Sequence, residues 1–548
     1  MSNTFSSAPY GVFAQRLALF TDDAGDASPS PNLLAQGLRG IEKESLRVTP
    51  QGTLAMTPHP RVLGSALTNP LVTTDYSEAL LEIITPAEPD VAMTLDYLDA
   101  LHRHVYSKLG QELLWNESMP CALPADDQIP IAEYGSSNIG RLKHVYRRGL
   151  ALRYGRSMQC IAGIHYNYSL ADDVWRVLRE HEHSDAASVD FQSERYLALL
   201  RNFRRYSWLL MVLFGASPAV STNFLRGHAH QLETLDADTL FLPYATSLRM
   251  SDLGYQNNPA QAGMAPNYDT LAAYVESLAR AVSQPHPAYE KIGTRQGHEW
   301  VQINTNVLQI ENEFYSTIRP KRVINSGERP LRALSSRGIQ YVEVRCLDID
   351  PFEPTGIALP TARFLDAFLL FCALQDSPLL ARAEHDEANA NFAQVVTQGR
   401  RPGLQLRRNG VALDMQEWAR ELFEQIEQAA QALDHARGTR CTSDSHCTAI
   451  ATQRAKLDDL SLTPSARVLE TLRSRKQSLA QFALQISEEH ARGFRARPLE
   501  AGQSAYFEEL TRASLAEQQR LERDEASDFD AYIEAYRTFD VASPLSAP

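Results

Sequence analysis

The stretch GLRGIEKESLRV (37–48) places Glu42 and Glu44 two residues apart in a segment that reads as a short strand. Two-residue spacing puts both carboxylates on one face of such a strand. The same i, i+2 grammar recurs along the front of the chain. CIAGIHYNYSL (160–170) pairs His165 with Asn167, and QYVEVRCLDID (340–350) pairs Glu343 with Arg345. WVQINTNVLQIENE (300–313) alternates Gln302, Asn304 and Asn306 and reads as a further strand. Any one pair is what a half-exposed antiparallel strand produces. A solvated sheet face would favour Thr and Lys, however, whereas this set holds carboxylates, one imidazole, amides and one arginine. That inventory suits multivalent metal and phosphate chemistry.

TTDYSEALLEIITP (73–86) adds Asp75, Glu78 and Glu82. Read as a helix, it gathers all three on one side, with Asp75 and Glu78 spaced as a capping box. Read as extended at LLEIIT, it makes Glu82 another inward carboxylate. Glu82 interrupts an apolar run and must be satisfied there, so it is the stronger functional candidate than Glu78.

The 548 residues are of ordinary globular composition, 44% hydrophobic and 22% charged. The length sets a soft prior of about three to four folding units. With 53 basic and 67 acidic residues the net charge is −14. This argues against sequence-independent nucleic-acid binding and against docking on anionic lipid. The longest apolar run, LLMVLFGASPAV (209–220), is too short for a membrane span. The first residues show no basic segment followed by an apolar one, so a cytoplasmic location is expected. The six cysteines are scattered apart from Cys441 and Cys447, which frame Ser445 and His446; no second pair completes a zinc site.

A short apolar helix is expected at 10–20, followed by a polar lead-in, TDDAGDASPSPNL (21–33). From about 38 to 360 strands and helices mix. Beyond 360, the segments 364–375, 415–437, 465–494 and 505–526 all read at helical period. The expected fold is α+β, with an antiparallel sheet, surrounding helices and a helical C-terminal third. The expected division is a lead-in at 1–36, a catalytic core at 37–360 and a helical annex at 361–548.

A hard-oxygen ligand set with one imidazole suits Mg²⁺ or Mn²⁺ better than Zn²⁺. Mg²⁺ beside an arginine points to a nucleoside triphosphate. No lysine follows a glycine, so there is no Walker loop, and no G-x-G-x-x-G opens a helix after a strand. ATP would then be held by metal ions on the sheet and by basic side chains, with Arg319, Lys321 and Arg322 of IRPKRV (318–323) as candidates and Asn167 beside them. Residues 134–155 start as a polar loop and become an aromatic, arginine-rich helix, and 244–258 is a second polar loop with Arg249 and Tyr255. Arginine for a carboxylate and tyrosine for packing plus one hydrogen bond suit an amino-acid substrate.

These residues stand in long blocks. GIEKESLRVTPQGTLAMTPHPRVLGSALTNPLVTTDYSEALLEIITP (40–86) resembles the amino-terminal signature of the proteobacterial glutamate–cysteine ligases, a group within the glutamine-synthetase-like superfamily. SMPCALP, YGSSNIGRLKHVYRRGL, RYGRSMQCIAGIHYNYSL, LFGASPAV, LPYATSLRMSDLGY, VQINTNVLQIENEFYSTIRPKR and YVEVRCLDIDPF follow in the family's order. The resemblance is dense over 38–360 and fades in the helical third.

The resemblance implies a sheet curved into a funnel, with ATP and amino acids entering from opposite sides. It implies two or three Mg²⁺ ions held by Glu42, Glu44, Asp75, Glu82, His165 and Glu343, with Arg345 facing the transferring phosphate. Tyr76, Tyr146, Leu150, Arg249, Tyr255 and Tyr315 would line the cysteine pocket, and Gln159 would lie near glutamate. Position 76 departs from the family, where Phe is expected. The implied reaction joins the L-glutamate γ-carboxylate to the L-cysteine amine through γ-glutamyl phosphate, the first step of glutathione synthesis. Feedback by glutathione and a monomeric state are further implications. Nothing after 360 resembles an ATP-grasp module, so a bifunctional glutathione-synthesising version is not expected. The competing readings are a ligase for another amine, a metal-dependent hydrolase, and a non-catalytic ATP or amino-acid sensor.

Overall fold

The computed structural model describes residues 8–21, 31–226, 229–254, 264, 266–325, 328–439, 442–525 and 527–537. Its organising element is a seven-stranded antiparallel sheet made of β1 (Arg39–Val48), β2 (Val72–Thr74), β3 (Leu80–Ile84), β4 (Leu113–Leu114), β5 (Ile164–Tyr168), β6 (Ile318–Lys321) and β7 (Tyr341–Leu347). The strands run in the order β6-β7-β5-β1-β3-β2, with β4 paired to the end of β1. The α+β class with an antiparallel sheet is as the sequence predicts.

Register brings the separate polar pairs together. Glu42 lies opposite His165, Glu44 opposite Glu82, and Glu343 between Asn167 and Arg319. Facing residues of paired strands share a face, so residues hundreds of positions apart become neighbours. The ladder between β5 and β7 is irregular between Val344 and Leu347, and Arg345 sits in that interval.

On the opposite face lie Ile41, Lys43, Tyr166, Val342 and Val344, all buried. The helices packed around the sheet include α1 (Ala8–Ala18), α2 (Val91–Lys108), α3 (Asn138–Tyr154) and α4 (Leu359–Leu374). From Ala362 to Leu374 every residue of α4 is buried. Its run FLDAFLLFCALQ is apolar nearly all round because it has core on every side. Phe371 meets Phe13 of α1 at 5.5 Å between ring centroids, and Phe364 meets Phe423 at 5.4 Å. The expected boundary at 360/361 therefore falls inside a largely buried helix, and one apolar cluster runs from Phe13 to Phe507.

Three local expectations change. First, residues 73–86 are not a helix: β2 and β3 flank a loop, and the extended reading of Glu82 is the one observed. Glu78 is not a cap; its carboxylate accepts the backbone N–H of His59 and, at 2.5 Å, that of Glu133. Second, 300–313 is mostly loop, with only Glu299–Trp300 in a short strand. Its amides hold turns: Gln302 donates to the carbonyls of Tyr289 and Gly293, Asn304 to that of Gln309, and Asn306 to that of Val282. Third, 465–494 is two helices, Pro464–Arg475 and Leu479–Arg495. Lys476 adopts a left-handed conformation, and Ser478 with Gln481 builds a capping box that starts the second helix. The expected helices at 10–20, 364–375, 415–437 and 505–526 match Ala8–Ala18, Leu359–Leu374, Met415–Ala436 and Ala501–Arg523.

Candidate active site

Strands β1, β3, β5 and β7 present Glu42, Glu44, Glu82, His165, Glu343 and Arg345 on one face. One ligand atom each from Glu42, Glu82 and His165 lie within 4.8 Å of one another, a spacing a single cation can bridge. His165 Nδ1 is 3.1 Å from Glu42 Oε2 and its Nε2 is 3.6 Å from Glu44 Oε1. Asp75, at the end of β2, is half-exposed, with Arg147 3.6 Å from its carboxylate.

The electrostatics divide this face. Burial and the neighbouring charges of Glu42, Asp75 and Glu44 push the Glu82 carboxyl well above the usual range. Burial also raises Glu44, with Asp75 adding to it against His165 and Arg345. At the β6–β7 end the sign reverses. Glu343 is buried, yet Lys321 at 3.1 Å and Arg345 at 3.0 Å hold its carboxyl well below the usual range. Thus a site with unmet negative charge adjoins one already matched by cations.

Two cavities open on this face. The first, of about 140 Å³, is bounded by Glu44, Asp75, Tyr76, Tyr146, Leu150, Gln159, Tyr315 and Arg345 among others. The second, of about 310 Å³, has apolar walls from Leu278, Leu331 and Leu334, two tyrosines (Tyr274 and Tyr341), and a basic edge of Arg319, Lys321 and Arg322. Asn312 and Arg319 line both.

Several residues stand apart from their expected places. Asn167 does not line the second cavity; its amide donates to Glu42 Oε1 at 2.8 Å and holds that carboxylate. Arg249 does not line the first cavity and is only 1% exposed. Its guanidinium donates to the carbonyls of Arg345 at 3.0 Å and Leu347 at 3.2 Å and lies 3.6 Å from Asp348. Gly163 makes room for it, since a Cβ there would sit 2.0 Å from Arg249 Nη2. The Gly163 N–H donates to Glu44 at 2.8 Å, so this close approach also orients a carboxylate of the site. Tyr255 lies outside the described residues, as does Cys441.

The sequence reading missed Arg147, Tyr154, Met158, Asn312 and Glu313, all in the first cavity. Arg147 lies beside Tyr146 in α3, and its helical position next to an expected pocket residue was the available signal. Glu313 is held by Arg153 at 2.9 Å and accepts Tyr154 Oη at 2.7 Å, contacts that no local pattern announces.

A carboxylate-rich sheet face, an arginine beside it and two adjoining cavities, one with a basic edge, fit an ATP-dependent ligase. The comparisons agree and go further. Residues 26–395 match the family Glutamate-cysteine ligase. The glutamate–cysteine ligase of Janthinobacterium sp. (strain Marseille) is 61% identical over 96% of this chain and 98% of its own length. That of Pseudomonas aeruginosa PAO1 is 60% identical over 96% and 98%. The crystal structure of glutamate–cysteine ligase from Francisella tularensis in complex with AMP superposes with a TM-score of 0.85 at 38% identity, covering 92% of this chain and 97% of that one. A bifunctional glutathione synthetase from Pasteurella multocida superposes at 0.70 with 26% identity, covering 92% of this chain but 58% of its own. The chain belongs to the glutamate–cysteine ligase family. Among the described residues, no helix is long and apolar enough to cross a membrane.

Proposed function

We propose that this chain joins the γ-carboxylate of L-glutamate to the amine of L-cysteine at the expense of ATP, through γ-glutamyl phosphate, as the first step of glutathione synthesis. The observation that carries the reading is the meeting of Glu42, Glu82, His165 and Arg345 beside two cavities that share Arg319 and Asn312. The amino acids occupy the first cavity and the nucleotide the second, with its base between apolar walls and its phosphates toward Arg319 and Lys321. AMP in the Francisella relative supports a nucleotide site in this fold.

A carboxylate is a poor acylating agent, so a glutamate γ-oxygen first attacks the γ-phosphorus of ATP and the bond to ADP breaks. Arg345 is aimed at the negative charge that builds on the phosphoryl oxygens, held partly buried at the edge of the first cavity by Glu343. The cysteine amine then attacks the acyl carbon, gives up a proton, and expels phosphate through a tetrahedral intermediate. Positioning supplies most of the remaining acceleration, and no protein nucleophile is required.

The donor set fits a hard divalent cation. Glu42, Glu82 and His165 are close enough to share one, and Glu82 carries a raised pKa that a cation would relieve. Glu44, Asp75 and Glu343 would complete two or three Mg²⁺ sites, with Mn²⁺ an acceptable substitute. Such ions supply charge neutralisation on the phosphate oxygens. Tyr76, Tyr146, Leu150 and Tyr315 would select the cysteine side chain and Gln159 would face glutamate. We place the reaction in the cytoplasm, carried out by a monomer, with glutathione competing for the amino-acid cavity.

The test is ADP release with glutamate and a panel of amines. Cysteine and 2-aminobutyrate should both turn over. If both are inert while another amine reacts, the chain is a ligase for that amine. ATP-independent cleavage of an amide would make it a metal-dependent hydrolase instead.

A further inference from the structure

On the far side of the sheet, away from the carboxylate face, a third cavity lies between the entry to β1 and the C-terminal end of Met415–Ala436. Its floor is Arg363 of α4, 6% exposed, and its wall is Arg437. Arg363 is unusual for a buried cation: among the described residues it has no hydrogen-bond or ion-pair partner, and its Nε is sealed from solvent without an acceptor. Arg437 Nε is sealed in the same way, although its Nη2 donates to the Pro89 carbonyl. Burial and the charge of Arg39, with a smaller contribution from Arg363, push the Arg437 guanidinium down against the opposing charges of Asp366 and Asp90.

Two acids, Asp90 and Asp444, line the cavity with the arginines, and Asp366 lies behind it with one carboxylate oxygen buried and without a hydrogen-bond partner. Asp366 pairs with Arg39 at 2.8 Å and accepts Tyr166 Oη at 2.7 Å. Asp90 caps α2 through Ala92 N at 3.0 Å and is 3.8 Å from Arg437. Asp444 is exposed at the rim. An isolated buried charge is costly, and one that persists facing a cavity calls for a counter-charge inside it. Asn32, Gln36 and Thr439 line the same space and add amide and hydroxyl donors.

We propose that this cavity is a binding site for a small oxyanion, a carboxylate or a phosphate group, seated on the guanidinium of Arg363 and closed over by Arg437. Guanidinium groups present paired donors that match both anions. Arg363 lies one helical turn from Asp366, which holds Arg39 of β1 and Tyr166 of β5. A bound anion would thus sit directly behind the strands that carry Glu42 and His165.

The test uses the full chain with its active site filled by glutamate, Mg²⁺ and a non-hydrolysable ATP analogue, titrated by calorimetry with inorganic phosphate and, separately, with succinate. Saturable binding of one equivalent is expected. Phosphate alone would point to a phosphate-ester ligand, succinate alone to a carboxylate metabolite, and both to a general oxyanion site. Arg363→Gln should weaken binding about tenfold or more, the loss expected when a charge-assisted hydrogen bond is removed. Its melting temperature without anion should be equal to or above that of the parent, because an unmatched buried cation has gone. Arg437→Gln provides an independent loss of affinity should Arg363→Gln fold poorly. No saturable heat with either probe, or unchanged binding in both variants, overturns the proposal.

Discussion

The two faces of β1 carry charge in opposite ways. On the front, burial and neighbouring carboxylates raise Glu44 and Glu82, while against burial the hydrogen bond to His165 and the charge of Lys321 hold Glu42 down. On the back, Arg39 is matched by Asp366, with both side chains fully buried, and Arg47 by Glu112 at 2.5 Å. Lys43 has no carboxylate but rests on Asn116 Oδ1 at 2.8 Å and near His102 Nε2 at 3.1 Å; burial pushes it down to about 7. A strand ten residues long thus separates a face built for a missing counter-charge from one whose two arginines are each paired with a carboxylate. The difference distinguishes chemistry from architecture better than burial does, because both faces are buried.

The comparison can be broken most severely at Arg345. Arg345→Ala should lower kcat by about 10²–10³-fold, the usual loss when a group aimed at transition-state charge is removed. Nucleotide affinity, measured by calorimetry, should change far less; equal losses in both would make Arg345 a ground-state anchor.

Next come paired substitutions on the two faces. Asp366→Ala on the back leaves Arg39 buried without its carboxylate, with only the Ser169 carbonyl and the Tyr168 ring against it, and should cost about 3–5 kcal/mol in denaturant melts. Turnover per folded molecule should survive. Glu82→Gln on the front should do the reverse, stabilising the metal-free protein by about 1 kcal/mol because a repelled carboxylate is removed. Its turnover should collapse. If Glu82→Gln instead destabilises the metal-free protein, the unmet charge on the front face is not real.

A smaller effect sharpens the pH behaviour of the loop that Glu78 ties down. Burial, with Arg47 nearby, lowers His59 from 6.5 to about 4. The unfolded chain therefore takes up a proton between those values before the folded one does. This contribution to stability is complete above pH 6.5 and is lost as pH falls through 4. Melting temperatures should decline over that window, less steeply in His59→Asn than in the parent.

The smallest effect is expected at Tyr76. Its buried hydroxyl has no partner among the described residues, although it borders the amino-acid cavity. Tyr76→Phe should leave the fold equally or slightly more stable, and any change should appear in KM for cysteine rather than in kcat. A fall in kcat with unchanged KM would give the hydroxyl a role in the chemistry.

The front face was legible because its signal is periodic. Glu42 with Glu44, His165 with Asn167, and Glu343 with Arg345 each announce a strand face, and pairing then assembles them. The same grammar misled at Gln302, Asn304 and Asn306, where amides serve turns and their i, i+2 spacing has no strand beneath it. The back face left almost no trace. Asp366 sits in an apolar helical run, and its partner Arg39 is 327 positions away. Arg363 and Arg249 are likewise defined by what surrounds them in space. Composition and spacing report one strand or helix at a time, whereas charge matching is a property of packed pairs.

The most direct measurement on the central claim follows oxygen. With ¹⁸O in the γ-carboxylate of glutamate, one labelled oxygen should pass to inorganic phosphate in each turnover, because the acyl phosphate forms through a carboxylate oxygen and breaks at carbon. Phosphate free of label, with product still formed, would contradict the account and leave the front face without its assigned phosphoryl transfer.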